Sequence, residues 1–236
     1  THDLAHRGST SGIAAFARRI EVLRGPFSVS YGNASGGVVQ VFTDDPASPG
    51  SVRVTGAIGA DASRRISIEA NDRHDAFGGL VGAQHFATEG FRTHSAAERN
   101  LVHGKLAFGA GATRASLVLD TLDAPHAQDP LGLDRAQFQQ DPTQASPAAL
   151  RFNTRKSVEQ RQLGAVVEHD ASSGTLRAML YGGRRDIEQF LAVPVATQGN
   201  PLSSGGVVDL RAPYAGVDVR WSHEDAGAAF AWVAGL

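Results

Sequence analysis

From residue 51 onward, apolar and polar positions alternate with a period of two. The run VRVTGAIGA puts Val52, Val54 and Ile58 on one face, with Arg53 and Thr55 on the other. In RISIEAND, Ile66, Ile68 and Ala70 oppose Ser67, Glu69 and Asn71. Residues 101–108, 115–123, 162–169, 175–187 and 215–223 repeat the pattern. Successive side chains of a strand point to opposite faces, so each run predicts a strand buried on one side. Two architectures satisfy that pattern. One is a soluble antiparallel sandwich; the other is a barrel with one apolar and one polar wall.

The joins between the runs separate the two. With 52–60 as the first strand, the joins fall at 61–63, 73–76, 89–100, 109–113, 124–157, 170–174, 192–207 and 225–226. Every second join is short (RHDA, GAGAT, DASSG, DA), whereas the intervening ones become long after the first. Short turns at one end and long loops at the other are the asymmetry of a barrel that spans an outer membrane. Several runs reach the about 9 to 11 residues that a tilted spanning strand needs. Phe77, Phe86, Phe91, Tyr181, Phe190, Tyr214 and Trp221 fall near the expected strand ends, where an interfacial aromatic girdle belongs. Position alone does not assign Phe108 to it.

The first 45 residues follow a different pattern. Residues 1–15 are rich in glycine and serine and read as a loop entering a short helical piece at 13–18. Ile20 and Val22 then alternate with Arg19 and Glu21 in a strand. Gly25 and Pro26 open a turn or short helix, and Gly32 with Asn33 closes it by tolerating positive φ. GGVVQVFT reads as a second buried strand, its Gly36–Gly37 pair admitting a close neighbour. The expectation is a compact αβ fragment that ends at Asp45, Pro46 and Pro49.

Composition narrows the function classes. Charged residues make up 19% of the 236, a low share for a soluble surface, while the 42% apolar share suffices for a core. A net charge of −2, with basic residues scattered among acidic ones, argues against nucleic acid as a partner. Cysteine is absent, which removes disulfides, thiol catalysis and cysteine-ligated metals. His74, His85, His94, His103, His126, His169 and His223 are widely separated and form no H-x-x-x-H or H-E-x-x-H pair, and no nucleophile–base constellation or phosphate loop stands out. The expectation is a non-enzyme with no cofactor and no defined metal site. No apolar run of 18 or more residues predicts a membrane helix. The first residues lack a signal-peptide pattern, and both ends read as if cut from a longer chain.

The N-terminal segment RRIEVLRGPFSVSYGNASGGVVQVFT resembles the end of the plug domain of TonB-dependent outer-membrane receptors. That family carries R-I-E-V-L-R-G-P, then S-x-x-Y-G, then a small-residue turn and G-G-V-hydrophobic-x-hydrophobic. The matching positions here are 19–26, Ser28, Tyr31, Gly32 and 36–41. The resemblance is close over residues 1–45 and generic beyond them. It implies a mainly β fold in which 1–45 is the C-terminal part of an αβ plug domain. Residues 46–236 would supply about eight to nine antiparallel strands of a transmembrane β-barrel that in this family has about 22. An open sheet of that size leaves two unsatisfied edges, so the implied function belongs to the intact receptor.

That function is energy-coupled import of a scarce, bulky nutrient across the outer membrane of a Gram-negative bacterium. The implied partners are outer-membrane lipid, a small-molecule metal chelate, and TonB, engaged through a TonB box outside this stretch. A ferric siderophore is the leading cargo by resemblance; haem, vitamin B12, copper complexes and oligosaccharides are the alternatives. His2 and His6 add little to the haem case. A different class, a β-rich surface or binding protein that does not transport, explains the alternation but not the plug motif.

The resemblance assigns Arg24 to a buried ionic contact between plug and barrel wall. An enclosed guanidinium must be paired, and its fork suits a carboxylate. Glu21 is placed to hold Arg19 or Arg24, or to be a solvated strand charge. Gly25, Pro26, Gly32, Gly36 and Gly37 read as architecture, and Tyr31 as a packed core residue or a contact for a bound chelate. The join at 124–157 is the candidate for ligand contact. It carries Asp129, Asp134, Arg135, Phe138, Asp141, Arg151, Phe152, Arg155 and Lys156. Arginines beside aromatics suit an anionic aromatic chelate, against the alternative of a solvated charged loop.

Overall fold

The computed structural model describes residues 16–25, 36–203, 205–224 and 231–235. Strands β1 (Ala17–Arg24) and β2 (Gly37–Thr43) form an antiparallel hairpin with Ile20 opposite Val41 and Arg24 opposite Gly37. The helical piece expected at 13–18 is corrected in its last residues. Ala17 already pairs with Thr43 and Arg18 lies inside β1, because β2 offers a partner along its full length. Residues 13–15 lie outside the described residues, as does the turn expected over 26–35. Of the αβ fragment, the described residues show the strand hairpin.

A second sheet follows, with nine strands in sequence order. These are β3 (Ser51–Ile58), β4 (Arg64–His74), β5 (Phe77–Thr88), β6 (Ala97–Ala110) and β7 (Thr113–Gln128), then β8 (Arg155–Ala171), β9 (Gly174–Phe190), β10 (Val207–Glu224) and β11 (Ala231–Gly235). Each pairs antiparallel with the next, and β3 and β11 are the edges. The segregation of joins holds. Strands β4–β5, β6–β7 and β8–β9 are linked by the two-residue turns 75–76, 111–112 and 172–173, and the opposite end carries 59–63, 89–96, 129–154 and 191–206. The expected join 124–157 shrinks because β7 and β8 keep pairing past an irregularity at Ala124/Ala127 as far as Gln128–Arg155. The join at 225–226 lies outside the described residues, although Glu224 pairs with Ala231 across it.

The two faces of the sheet decide between the architectures. On the face that carries the hairpin, here the inner face, Gln84, His103, Lys105, Asp120, Gln160 and Gln162 are buried. Facing the other way, Val52, Val54, Ile66, Leu119, Leu163, Leu180 and Val217 are exposed, with Leu180 at 60%. A soluble sandwich buries its apolar face, so this wall is built the opposite way round. It has the apolar-out, polar-in alternation of a membrane barrel.

Aromatic placement corrects part of the expected girdle. Tyr181 and Tyr214 lie in mid-strand on the inner face, where Tyr181 is paired with Gly216 and Tyr214 with Gly183. An added Cβ on Gly183 would come within 2.6 Å of the Tyr214 hydroxyl, so each ring lies over a neighbouring glycine. Sequence spacing could not show this, because the register of β9 on β10 sets it. Phe77 and Phe108 are cross-strand partners on the outer face near the short turns, 54% and 49% exposed, and there they fit a girdle.

Candidate functional site: the hairpin contact and the loop body

The hairpin and the segment after it meet the inner face across β5, β6 and β7. Phe16, at the foot of β1, stacks on the His103 imidazole with ring centroids 5.7 Å apart. Gly82 pairs with His103 across β5 and β6, and a Cβ there would stand 2.6 Å from the Phe16 ring. Glycine at this position lets the aromatic ring lie directly on the wall. His103 Nδ1 lies 2.7 Å from Asp120 Oδ1, with both side chains nine-tenths buried. The contact gives the buried Asp120 carboxyl a hydrogen-bond partner.

The polar chain continues laterally. Asp120 is opposite Gln162, whose Oε1 accepts the Tyr214 hydroxyl at 2.8 Å, and Gln160 donates to the same hydroxyl at 3.4 Å. Below this row, Lys105 Nζ is 2.5 Å from Asp45 Oδ1 and donates to the Asp44 carbonyl at 3.4 Å. Among the described residues this is the ion pair that joins the N-terminal segment to the sheet. No motif singled out Lys105; its only sequence signal was a cation on the polar face of an alternating run.

Arg19 pairs with Glu21 at 3.2 Å and lies 4.2 Å over the Phe42 ring, so both stay within the hairpin. Arg24 ends β1 and has no ion-pair partner among the described residues. Gly25 has φ 103°, and a Cβ on Gly37 would stand 2.7 Å from the Leu23 carbonyl oxygen, so both positions require glycine. Gly36 lies just before β2. Pro26, Tyr31 and Gly32, like His2 and His6, lie outside the described residues.

At the long-loop end, the join 129–154 is folded. It contains α1 (Arg135–Gln140), capped by Asp134, and α2 (Pro147–Phe152). The Asp129 carboxylate accepts the Leu131 N–H, and Asp141 accepts both the hydroxyl and the N–H of Thr143. Those bonds, hydroxyl first, hold the Asp141 carboxyl below its ordinary pKa. All three acidic side chains are thus used in shaping the loop. Arg135 and Phe138 lie on α1, with Phe138 60% exposed. The Arg151 guanidinium lies 5.5 Å over Phe152. Arg155 and Lys156 belong to β8 rather than the loop, a correction that follows from the extended pairing of β7 with β8; Arg155 stacks 3.6 Å over Phe190.

Sequence reasoning missed the residue that fixes this body. Arg92, in the neighbouring join 89–96, donates to the carbonyls of Gln144 at 2.9 Å, Leu131 at 2.6 Å and Pro130 at 3.3 Å. Thr93 N–H donates to the Thr143 carbonyl, and His94 Nε2 lies 2.8 Å from the Thr154 carbonyl oxygen. Two loops that are distant in sequence are thereby held as one unit. Among the described residues no group of acidic and histidine side chains is arranged to hold a metal ion.

No protein-family model matches the chain. Solved structures do. The ferric citrate transporter FecA in its unliganded form matches with TM-score 0.70 at 18% identity, over 92% of this chain and 32% of its own length. The siderophore receptor PiuA from Acinetobacter baumannii matches with TM-score 0.66 at 18% identity, over 90% and 33%. The ferric-catecholate import receptor Fiu from K12 E. coli gives 0.57 at 17%, over 84% and 31%. The chain thus spans about a third of the length of the structures it matches, and its fold is that of TonB-dependent receptor β-barrels.

Proposed function

We propose that the chain is part of a TonB-dependent outer-membrane receptor that imports a scarce, bulky nutrient, with a ferric siderophore or related ferric chelate as cargo. On this reading residues 1–45 are the end of the plug and 46–236 the first part of the barrel. The observation that carries it is the inverted sheet. An apolar outer face stands uncovered while a polar inner face holds the end of a hairpin that resembles the plug. The wall then meets lipid on one side and plug on the other, with the two-residue turns towards the periplasm and the long loops outside. The likeness to a ferric citrate transporter, a siderophore receptor and a ferric-catecholate import receptor supports ferric chelates over haem, vitamin B12, copper complexes or oligosaccharides. Such a protein changes no covalent bond in its cargo. Its work is capture at the outer mouth, followed by TonB-driven movement of the plug.

The test is radio-iron uptake in cells with and without the full-length gene, under iron limitation, for ferric citrate and for representative catecholate and hydroxamate chelates. The expected result is gene-dependent, energy-dependent uptake of at least one chelate and recovery of the protein in the outer-membrane fraction. Outer-membrane recovery with no gene-dependent uptake of any chelate would sink the ferric cargo and leave the architecture standing.

A further inference from the structure

Between the His103–Asp120–Gln162 row and the long loops, every charged side chain that strands β3–β10 turn to the inner face is a cation. Cross-strand register places Arg65 opposite Phe86 and Phe86 opposite Arg99. In the neighbouring row Leu122 faces Gln160, and Gln160 faces Arg185. Nearer the loops, Lys156 stands between Ala127 and Gln189. The remaining inner positions of these rows are uncharged, among them Thr55, Gln84, Leu101, Val158 and Ile187.

The asymmetry is local. In the His103–Asp120–Gln162 row and below it on the same face, cations and carboxylates are mixed: Arg53 with Glu69 in the row itself, and Lys105 with Asp45 and Arg177 with Glu168 and Asp218 below it. On the outer face at the height of the cations, opposite charges pair along single strands. Arg161 pairs with Glu159 at 2.6 Å, Arg184 with Asp186 at 2.8 Å and Arg211 with Asp209 at 3.5 Å. Like charges gathered on one concave wall concentrate a potential of one sign, which draws ions of the other. Arg99 adds a second observation. Its Nε is buried with no hydrogen-bond partner among the described residues, while its guanidinium lies 5.6 Å over the Phe86 ring. A buried donor without an acceptor is costly until an acceptor arrives.

We infer that this inner wall selects an anionic cargo through Arg65, Arg99, Arg185 and Lys156. The ligand chemistry is a metal chelate with net negative charge on carboxylate or catecholate oxygens, in preference to an uncharged hydroxamate chelate or a neutral sugar. The inference deepens the importer reading and rests on it for the identity of the cargo. Charge selectivity, however, belongs to the wall and is measurable as binding without transport.

The experiment uses full-length receptor purified from outer membranes, and the same receptor in cells lacking other ferric-chelate receptors. Binding of ferric citrate, a negatively charged ferric tricatecholate and an uncharged ferric trihydroxamate is measured at low and high salt, beside radio-iron uptake. The expected result is binding of an anionic probe that weakens with salt. The Arg65→Gln/Arg99→Gln double variant should weaken it by about tenfold and flatten the salt dependence. Arg64→Gln, on the outer face, is the matched control, and outer-membrane abundance reports folding of each variant. Anion-selective binding without uptake of any chelate supports the inference while overturning import. Binding of the uncharged probe alone overturns the inference and leaves import standing. No binding of any probe overturns it too. So does an equal effect of the double variant on all probes with raised entry of a large antibiotic, which would make an acidic plug surface the partner of these cations.

Discussion

Lys105 and Asp45 meet at 2.5 Å where the N-terminal segment joins the wall, the ammonium 2% exposed and the carboxylate 64%. The unequal burial sets the direction of any change made there. Removing the carboxylate strands a buried cation, whereas replacing the lysine with an apolar chain removes the charge that needed a partner. Asp45→Asn is therefore expected to destabilise the docking of the segment by about 1–3 kcal/mol. Lys105→Met should cost less. Thermal release of the plug in purified full-length receptor, followed by protease sensitivity, checks the order. Equal melting of both variants would show that the pair contributes no net stability.

Phe16 and Gly82 make a size-matched contact. Gly82→Ala places a Cβ 2.6 Å from the ring, so Phe16 must leave the His103 face. We expect loss of docking comparable to Phe16→Ala, about 3 kcal/mol for a buried aromatic side chain. Phe16→Leu combined with Gly82→Ala should recover part of it. Additive losses in the double variant would mean that the two positions do not touch in the membrane-embedded receptor.

Arg92 governs the loop body at the long-loop end of the sheet. Its three carbonyl contacts require the planar fork of arginine, so Arg92→Lys should fail much as Arg92→Ala does. Trypsin added to whole cells would cut after Arg135 or Arg151 about tenfold faster in either variant, since local opening controls access. Unchanged cleavage would show that the helices hold themselves.

The exposed face offers a test of the membrane itself. Leu180→Arg, at a position 60% exposed, would be nearly neutral in a soluble sheet. Within a bilayer it should cost about 2–4 kcal/mol near the midplane. Reduced heat-resistant folded receptor in outer membranes, against no change for Arg161→Lys nearer the loops, is the expected pattern.

Arg24→Ala should leave ligand binding near wild type while lowering transport or altering plug release, if its barrel partner is contributed by other parts of the receptor. Parallel binding and uptake measurements separate these. Wild-type uptake with unchanged plug behaviour would take Arg24 out of the mechanism.

The sequence alone determined the strands, because an alternating pattern such as Ile66, Ile68 and Ala70 against Ser67, Glu69 and Asn71 has one geometrical meaning. It also determined which joins are short, since turn residues at 75–76, 111–112 and 172–173 act locally. The hairpin was legible for the same reason, with Ile20 and Val22 alternating in β1. Which face would be covered was not. Alternation is identical for a sandwich and a membrane wall; the join lengths pointed to the wall, and the packing of Phe16 and Asp45 onto the polar face showed which side is covered. The contacts that matter at the candidate site, Lys105–Asp45, His103–Asp120 and Arg92 with the Pro130–Gln144 segment, join residues from 17 to 60 positions apart. Their partners are chosen by strand register and loop closure. A single chain's pattern fixes which way each side chain points, while tertiary pairing alone fixes what it meets.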